Sequence, residues 1–224
     1  MMMKEREFSW KSCMNVVCNY MSVIMIIAMF FSGRAWSDSD LCVSSDGHYL
    51  EKISTGEPFL WVGDTAWQLF AKLSREDADY YLSDRANRGF TVIFTGVVTW
   101  EQNIPNAYGN RPFNSSGDLT APNDAYFQHV DWIMNKALEK GLHVAFLPVF
   151  LGPDTWAWIS SQSEAYTYGQ YLGSRYQNQS NIIWTGGGDM WAYYNDEEKN
   201  RWLNLMRGIA VGVTGSEDYS RCMM

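Results

Sequence analysis

The sequence predicts an α/β fold, a parallel sheet with its helices outside. Two observations carry this. From Leu50 onward, apolar runs of strand length alternate four times with helical patterns, the rhythm of parallel βαβ units. No Gly-rich nucleotide loop follows the first run, where Gly63-Asp64-Thr65-Ala66-Trp67 stands, unlike the GxGxxG turn of a dinucleotide-binding sheet. Two closures stay open on these grounds, a doubly wound sheet and a (β/α) barrel.

The first strand is expected at Phe59-Leu60-Trp61-Val62-Gly63, after the turn Gly56-Glu57-Pro58, with Trp61 in the core. Ser74 then caps a helix that has acids in its first turn. Ala78, Tyr81, Leu82 and Ala86 form its apolar face, and Gly89 lies just past its end. Phe90–Phe94 is the second strand, followed by a long polar loop over residues 99–122. Asn123 caps the second helix, where Phe127, Val130, Ile133, Met134 and Ala137 recur at helical spacing before Gly141. Leu142–Val149 is the third strand and Ser163–Gln177 the third helix. Asn181–Thr185 is the fourth strand, with Trp184 in the core. A fourth helix starts at Asn195 and runs to about Gly212. Residues 218–224 read as the approach to a fifth strand. A barrel needs eight units, so the chain is expected to be truncated relative to its natural fold.

The 224 residues fit one domain, and 46% hydrophobic with 19% charged residues is globular composition rather than disorder. The net charge of -8 argues against a nucleic-acid partner. Residues 1–37 have a signal-peptide layout. Lys4, Arg6 and Lys11 precede an apolar run, Cys13 to Phe31, and Ala35 and Ser37 fit a cleavage site. The alternative is an uncleaved membrane anchor. The expected location is secreted, periplasmic or cell surface, with any membrane contact through the leader alone. Residues 38–55 form a lead-in and residues 56–224 the strand–helix repeat. Outside the leader only Cys42 and Cys222 remain, without a CxxC pair or a disulfide framework. His48, His129 and His143 lie far apart, so no metal site is expected. No cofactor is expected either.

In both closures functional residues gather at the carboxyl ends of the strands. Asp64 and Trp67 follow the first strand; Trp100, Glu101, Asn106 and Tyr108 follow the second. Trp156 follows the third, and Asp189 and Trp191 the fourth. Aromatic faces pack on sugar C–H faces, while carboxylates and amides bind hydroxyls, so this mixture suits an oligosaccharide or polysaccharide. Glycoside cleavage commonly uses two carboxyl groups. Asp189 is the sharpest candidate. Gly186-Gly187-Gly188 leaves space beside it, and the helix starting near Asn195 is too far on for Asp189 to cap. Asp64 fits equally a sugar contact or a pin between strand ends. Glu101 fits a solvated loop acid at least as well as a site residue.

At these residues the sequence resembles the apiosidase-like glycoside hydrolases (glycoside hydrolase family 140 and relatives). The resemblance lies in Pro58–Trp67, Asp84–Ile93, Asn106-Ala107-Tyr108-Gly109, Tyr126–Trp132 and Asn181–Asp189, taken in order. It implies a (β/α)8 TIM barrel, of which this chain supplies about the first four βα units. It further implies retaining hydrolysis of plant cell-wall glycans, typified by release of apiose from pectic side chains, with Asp189 at the acid/base position. The family's nucleophile is a Glu on a later strand, beyond Met224, so the chain alone is expected to be an inactive fragment. Many relatives carry a basic residue after Gly-Gly-Asp where Met190 stands here, which leaves a different sugar preference open. A non-catalytic carbohydrate-binding or structural module is the rival reading. In a half barrel, Ile93, Phe146 and Ile183 are expected on the exposed inner face.

Overall fold

The computed structural model describes residues 40–99, 101, 103–150, 159–187 and 195–219. The predicted leader lies outside them. Strands β1 (Leu41–Val43), β2 (Leu50–Lys52) and β3 (Pro58–Phe59) form a small antiparallel sheet in the order β1-β2-β3. Strands β4 (Gly63–Thr65), β5 (Val92–Val98), β6 (His143–Val149) and β7 (Ile182–Trp184) form a parallel sheet in sequence order. Helices α1 (Leu69–Lys72), α2 (Arg75–Asn87), α3 (Asp124–Glu139), α4 (Gln162–Tyr176) and α5 (Asp196–Thr214) separate and follow these strands. The arrangement is roughly the first half of a (β/α)8 barrel.

The expected helix caps are present. Ser74 Oγ accepts from Asp77 N at 3.1 Å, and Asn123 Oδ1 accepts from Ala125 N at 3.1 Å. Asn195 Oδ1 accepts from Glu198 N at 2.9 Å. The predicted apolar stripe of α3 is fully buried, from Phe127 to Ala137. On α2, Ala78 and Leu82 are buried, while Tyr81 and Ala86 pack at the core's edge.

The first barrel strand is displaced from its predicted place. Pro58 and Phe59 pair antiparallel with Glu51 and Leu50. Leu60, Trp61 and Val62 then run exposed, and the parallel ladder begins at Gly63. Trp61 is 47% exposed, so it is not core. Thr91 explains the break: its hydroxyl accepts from Val62 N at 2.9 Å and donates to Leu60 O at 2.6 Å. A side chain thus takes backbone partners that a continuous ladder would have used. One apolar run serves two sheets, a division that periodicity alone cannot locate.

Register fixes which strand residues face the helices. Asp64 sits opposite Ile93, Ile93 opposite Val144, and Val144 opposite Ile182. Thr95, Phe146 and Trp184 lie two residues further along the same face. The Phe146 ring lies 5.8 Å from Phe70 of α1 and 5.2 Å from Tyr176 of α4, so this is the helix side. Ile93 and Phe146 therefore pack against helices, contrary to the inner-face expectation. Ile183 does take the inner face, with Phe94 and Ala145, but it is buried rather than exposed.

Asp64 shows what the outward face demands. Its Oδ2 accepts from the Tyr81 hydroxyl at 2.8 Å and from Arg85 Nε, both on α2. Its Oδ1 accepts from Thr65 N at 2.9 Å. Burial alone would raise its carboxyl pKa. The hydrogen bonds from Arg85, Tyr81 and Thr65, with the guanidinium charge, outweigh burial and hold it below the usual carboxylate range. This carboxylate fastens β4 to α2.

Helices α3 and α4 are joined by Arg175, which contacts Asp131 at 2.9 and 2.7 Å and Asp124 at 2.8 Å. Helices α4 and α5 meet through glycines. A β-carbon on Gly169 would lie 2.2 Å from the Leu205 carbonyl oxygen, and one on Gly173 2.3 Å from that of Ile209. Reciprocally, one on Gly208 would lie 2.1 Å from Tyr166 O, and one on Gly212 2.5 Å from Gln170 O. The backbones touch where side chains would stand.

Two expectations follow from this packing. Gly208→Ala should lower the thermal midpoint by the equivalent of roughly 1–3 kcal/mol, because the methyl meets backbone rather than a movable side chain. An unchanged midpoint contradicts the close seam. Asp64→Asn tests the β4–α2 tie through acid stability. A depressed folded-state pKa adds stability above the unfolded value of about 4, and that stability is lost as pH falls through the folded value. The variant should therefore melt lower at neutral pH and decline less steeply in acid. Parallel wild-type and variant curves of midpoint against pH would overturn it.

Candidate active site

The described carboxyl ends of the barrel strands are Thr65 to Trp67, Val98 and Thr99, Val149 and Phe150, and Thr185 to Gly187. Trp67 lies among them half-buried. Its ring stands 4.7 Å from Phe94 and edge-on at 5.1 Å from Phe150. Its carbonyl accepts from Gly96 N at 3.3 Å. Three strands therefore contribute to one aromatic cluster beside the inner face. The sequence analysis placed Trp67 at this strand end but did not single out Phe94 and Phe150, because which strand residues turn inward depends on register.

The predicted acids are placed differently. Asp64 faces α2, with both carboxylate oxygens accepting hydrogen bonds. Glu101 is exposed at the rim and pairs with Lys72 at 3.2 Å; such an open ion pair contributes little to stability. Asn106 is buried, and its Oδ1 accepts from Tyr108 N at 3.0 Å and Asn110 N at 3.1 Å. That side chain closes the turn through Gly109, whose φ is 81°, while among the described residues its buried Nδ2 has no partner. The Tyr108 hydroxyl accepts from Arg75 N at 2.8 Å, in the first turn of α2, and its ring stands edge-on to His129 of α3 at 5.1 Å. Asn106 thus closes the loop on itself, and Tyr108 anchors it to the outer helices. Asp189, Trp100, Trp156 and Trp191 lie outside the described residues.

Glu164 holds the far end of the same loop. Its buried carboxylate accepts from Leu119 N at 2.9 Å, Ser160 N at 2.7 Å and the Ser160 hydroxyl at 2.5 Å. His129 is held by Leu73 O, 3.1 Å from Nε2, and burial keeps its pKa below the ordinary imidazole value. Both groups serve the scaffold. Among the described residues no group of His, Cys, Asp or Glu is arranged to hold a metal ion. Nor is any described helix long and apolar enough to cross a membrane.

Comparison with solved structures places this geometry among glycoside hydrolases. A glycoside hydrolase family 5 protein from Bacteroides vulgatus is 27% identical with a TM-score of 0.69, covering 79% of this chain and 38% of its own. A second solved glycoside hydrolase is 32% identical with a TM-score of 0.68, covering 81% of this chain and 40% of its own. The chain thus spans about two-fifths of the length of these structures. Comparison with curated proteins gives no match. The apiosidase-like catalytic domain matches residues 44–222, which take in all four parallel strands and the five helices. With that match on a half barrel of hydrolase type, the chain belongs to the apiosidase-like family of glycoside hydrolases.

Proposed function

We propose that the protein is a secreted glycoside hydrolase of plant cell-wall pectic glycans, apiosidase-like and retaining, with Asp189 as its acid/base. The supporting observation is the catalytic-domain match across the four barrel units. Within that frame β7 ends at Trp184, and Gly186-Gly187-Gly188-Asp189 follows it in sequence. The leader pattern of residues 1–37 supports export.

On this reading a sugar ring lies against Trp67 at the strand ends, with Trp100, Trp156 and Trp191 on neighbouring loops. Protonated Asp189 gives its proton to the glycosidic oxygen as the bond to the anomeric carbon breaks. A second carboxylate, on a later strand of the barrel, attacks that carbon and forms a glycosyl-enzyme. Asp189, now a carboxylate, takes a proton from the water that attacks the anomeric carbon in its turn, as the bond to the second carboxylate breaks and frees the sugar. Retention requires the two carboxyl groups about 5–5.5 Å apart.

The rival reading, a carbohydrate-binding module without turnover, draws on one observation. The two strand-end acids among the described residues, Asp64 and Glu101, are both engaged by cations. The two readings part on Asp189→Ala in the full-length protein. Hydrolysis of apiose-containing pectin fragments should fall by about 10²-fold or more. Aryl glycosides with good leaving groups should suffer far less, because they need no proton. Undiminished hydrolysis of the natural glycoside removes the acid/base role. Glycan binding with no turnover in the wild type favours the binding module.

A further inference from the structure

The turn after β7 carries, among the described residues, one side chain, that of Thr185, whose hydroxyl donates back to Ile183 O at 3.4 Å, and then two glycines. Gly186 and Gly187 leave the strand, and Gly187 has a φ of 106°. What sets the path of such a turn is whatever packs onto it. Trp202, in the second turn of α5, does so. A β-carbon on Gly186 would lie 2.1 Å from Trp202 Cζ2, 2.7 Å from Cε2 and 2.9 Å from Nε1. The edge of the indole thus fills the place where residue 186 would carry a side chain.

Two further features single out this contact. Among the described residues the Trp202 Nε1–H is buried without an acceptor, an arrangement that native cores avoid unless something is gained. And α5, which carries Trp202, is held to α4 with backbones touching at Gly208 and Gly212. The indole is therefore mounted on a helix with little freedom to slide. Gly186 is exposed on its other side, so the turn is backed by Trp202 and open towards solvent.

We infer that Trp202 is a positioning residue for the glycine turn at the end of β7. Its indole edge fixes the backbone of Gly186 and Gly187 at the carboxyl end of the strand, where a ligand of the barrel would lie. This rests on the proposed glycosidase reading for its functional consequence, but the contact itself does not.

The test uses the full-length protein labelled with 5-fluorotryptophan. Trp202→Phe assigns the signal of interest. Without ligand, Gly186→Ala should move the Trp202 resonance more than any other. An unmoved Trp202 signal overturns the contact. Apiose-containing pectin fragments are then titrated in. The wild-type Trp202 signal should shift with occupancy, and Trp202→Phe should bind at least about tenfold more weakly at an unchanged fold, judged by its thermal midpoint. Shifts at other tryptophans with Trp202 silent reduce it to core packing and overturn the inference. If no tryptophan responds to the fragments, the glycan reading fails and the functional consequence with it. The ligand-free Gly186→Ala result distinguishes that failure from loss of the contact. Gly186→Ala/Trp202→Leu removes the clash if the single variant does not fold; a native midpoint for the double variant supports the contact, and continued misfolding overturns it.

Discussion

Parallel pairing of β4 to β7 is the constraint on which the other features depend. Each strand has two faces, and a shift of one residue exchanges them. With Asp64 opposite Ile93 and Phe94 opposite Ala145, every later placement is decided. Ile93, Val144, Phe146 and Trp184 are given to the helices. Phe94, Ala145 and Ile183 are given to the barrel interior. Asp64 falls on the helix side, where a bare carboxylate would be costly, and α2 answers it with Arg85 and Tyr81. The burial that makes Asp64 expensive also pushes up the Tyr81 hydroxyl pKa, with Asp64 adding to the effect. The cluster is stable as a carboxylate, a neutral phenol and a guanidinium, and that combination persists across neutral pH.

The long loop between β5 and α3 depends on a second set of ties. Asn106 closes its first turn, Tyr108 docks on the start of α2, and Glu164 grips Leu119 and Ser160. Asn106 and Glu164 satisfy N–H groups that connections crossing strand ends would otherwise leave unpaired, and Tyr108 does the same for the first turn of α2. The loop is therefore built as part of the scaffold, with its polar side chains turned to its own backbone. This is why a polar residue in that loop is a weak guide to ligand contact. The same amide or hydroxyl that could bind a sugar is wanted first by the chain.

Much of the scaffold was legible in the sequence, because it rests on local rules. Ser74, Asn123 and Asn195 announce helix starts through their side-chain oxygens. The stripe from Phe127 to Ala137 announces a buried face by its spacing. The strand runs of β5, β6 and β7 were found for the same reason. What was not legible depends on partners remote in sequence. Leu60-Trp61-Val62 looks like strand core, yet Thr91, nearly thirty residues on, takes its backbone groups. The little antiparallel sheet of β1 to β3 gives no clear alternation in two- and three-residue strands. The direction of Ile93 and Phe146 needed the register. Asp64 and Tyr108 were noticed as unusual residues at strand ends, but their partners, Arg85 and the Arg75 amide, come from helix α2.

The same logic bears on where chemistry can be carried. An acid at a strand end is available to a ligand only if the scaffold does not require it first. Asp64 is required by α2, and Glu101 is matched by Lys72. At β7 the sequence takes the opposite course: Gly186 and Gly187 carry no side chains, and the load of holding the backbone passes to an indole on α5. A turn of glycines alone would pay heavily in chain entropy to hold one path. Backing it with a rigid aromatic on a helix that is itself backbone-tight against α4 moves that cost away from the strand end. The glycine seam between α4 and α5 and the glycine turn after β7 then belong to one device. The first lets the helices approach closely enough for the second to be held without a side chain of its own.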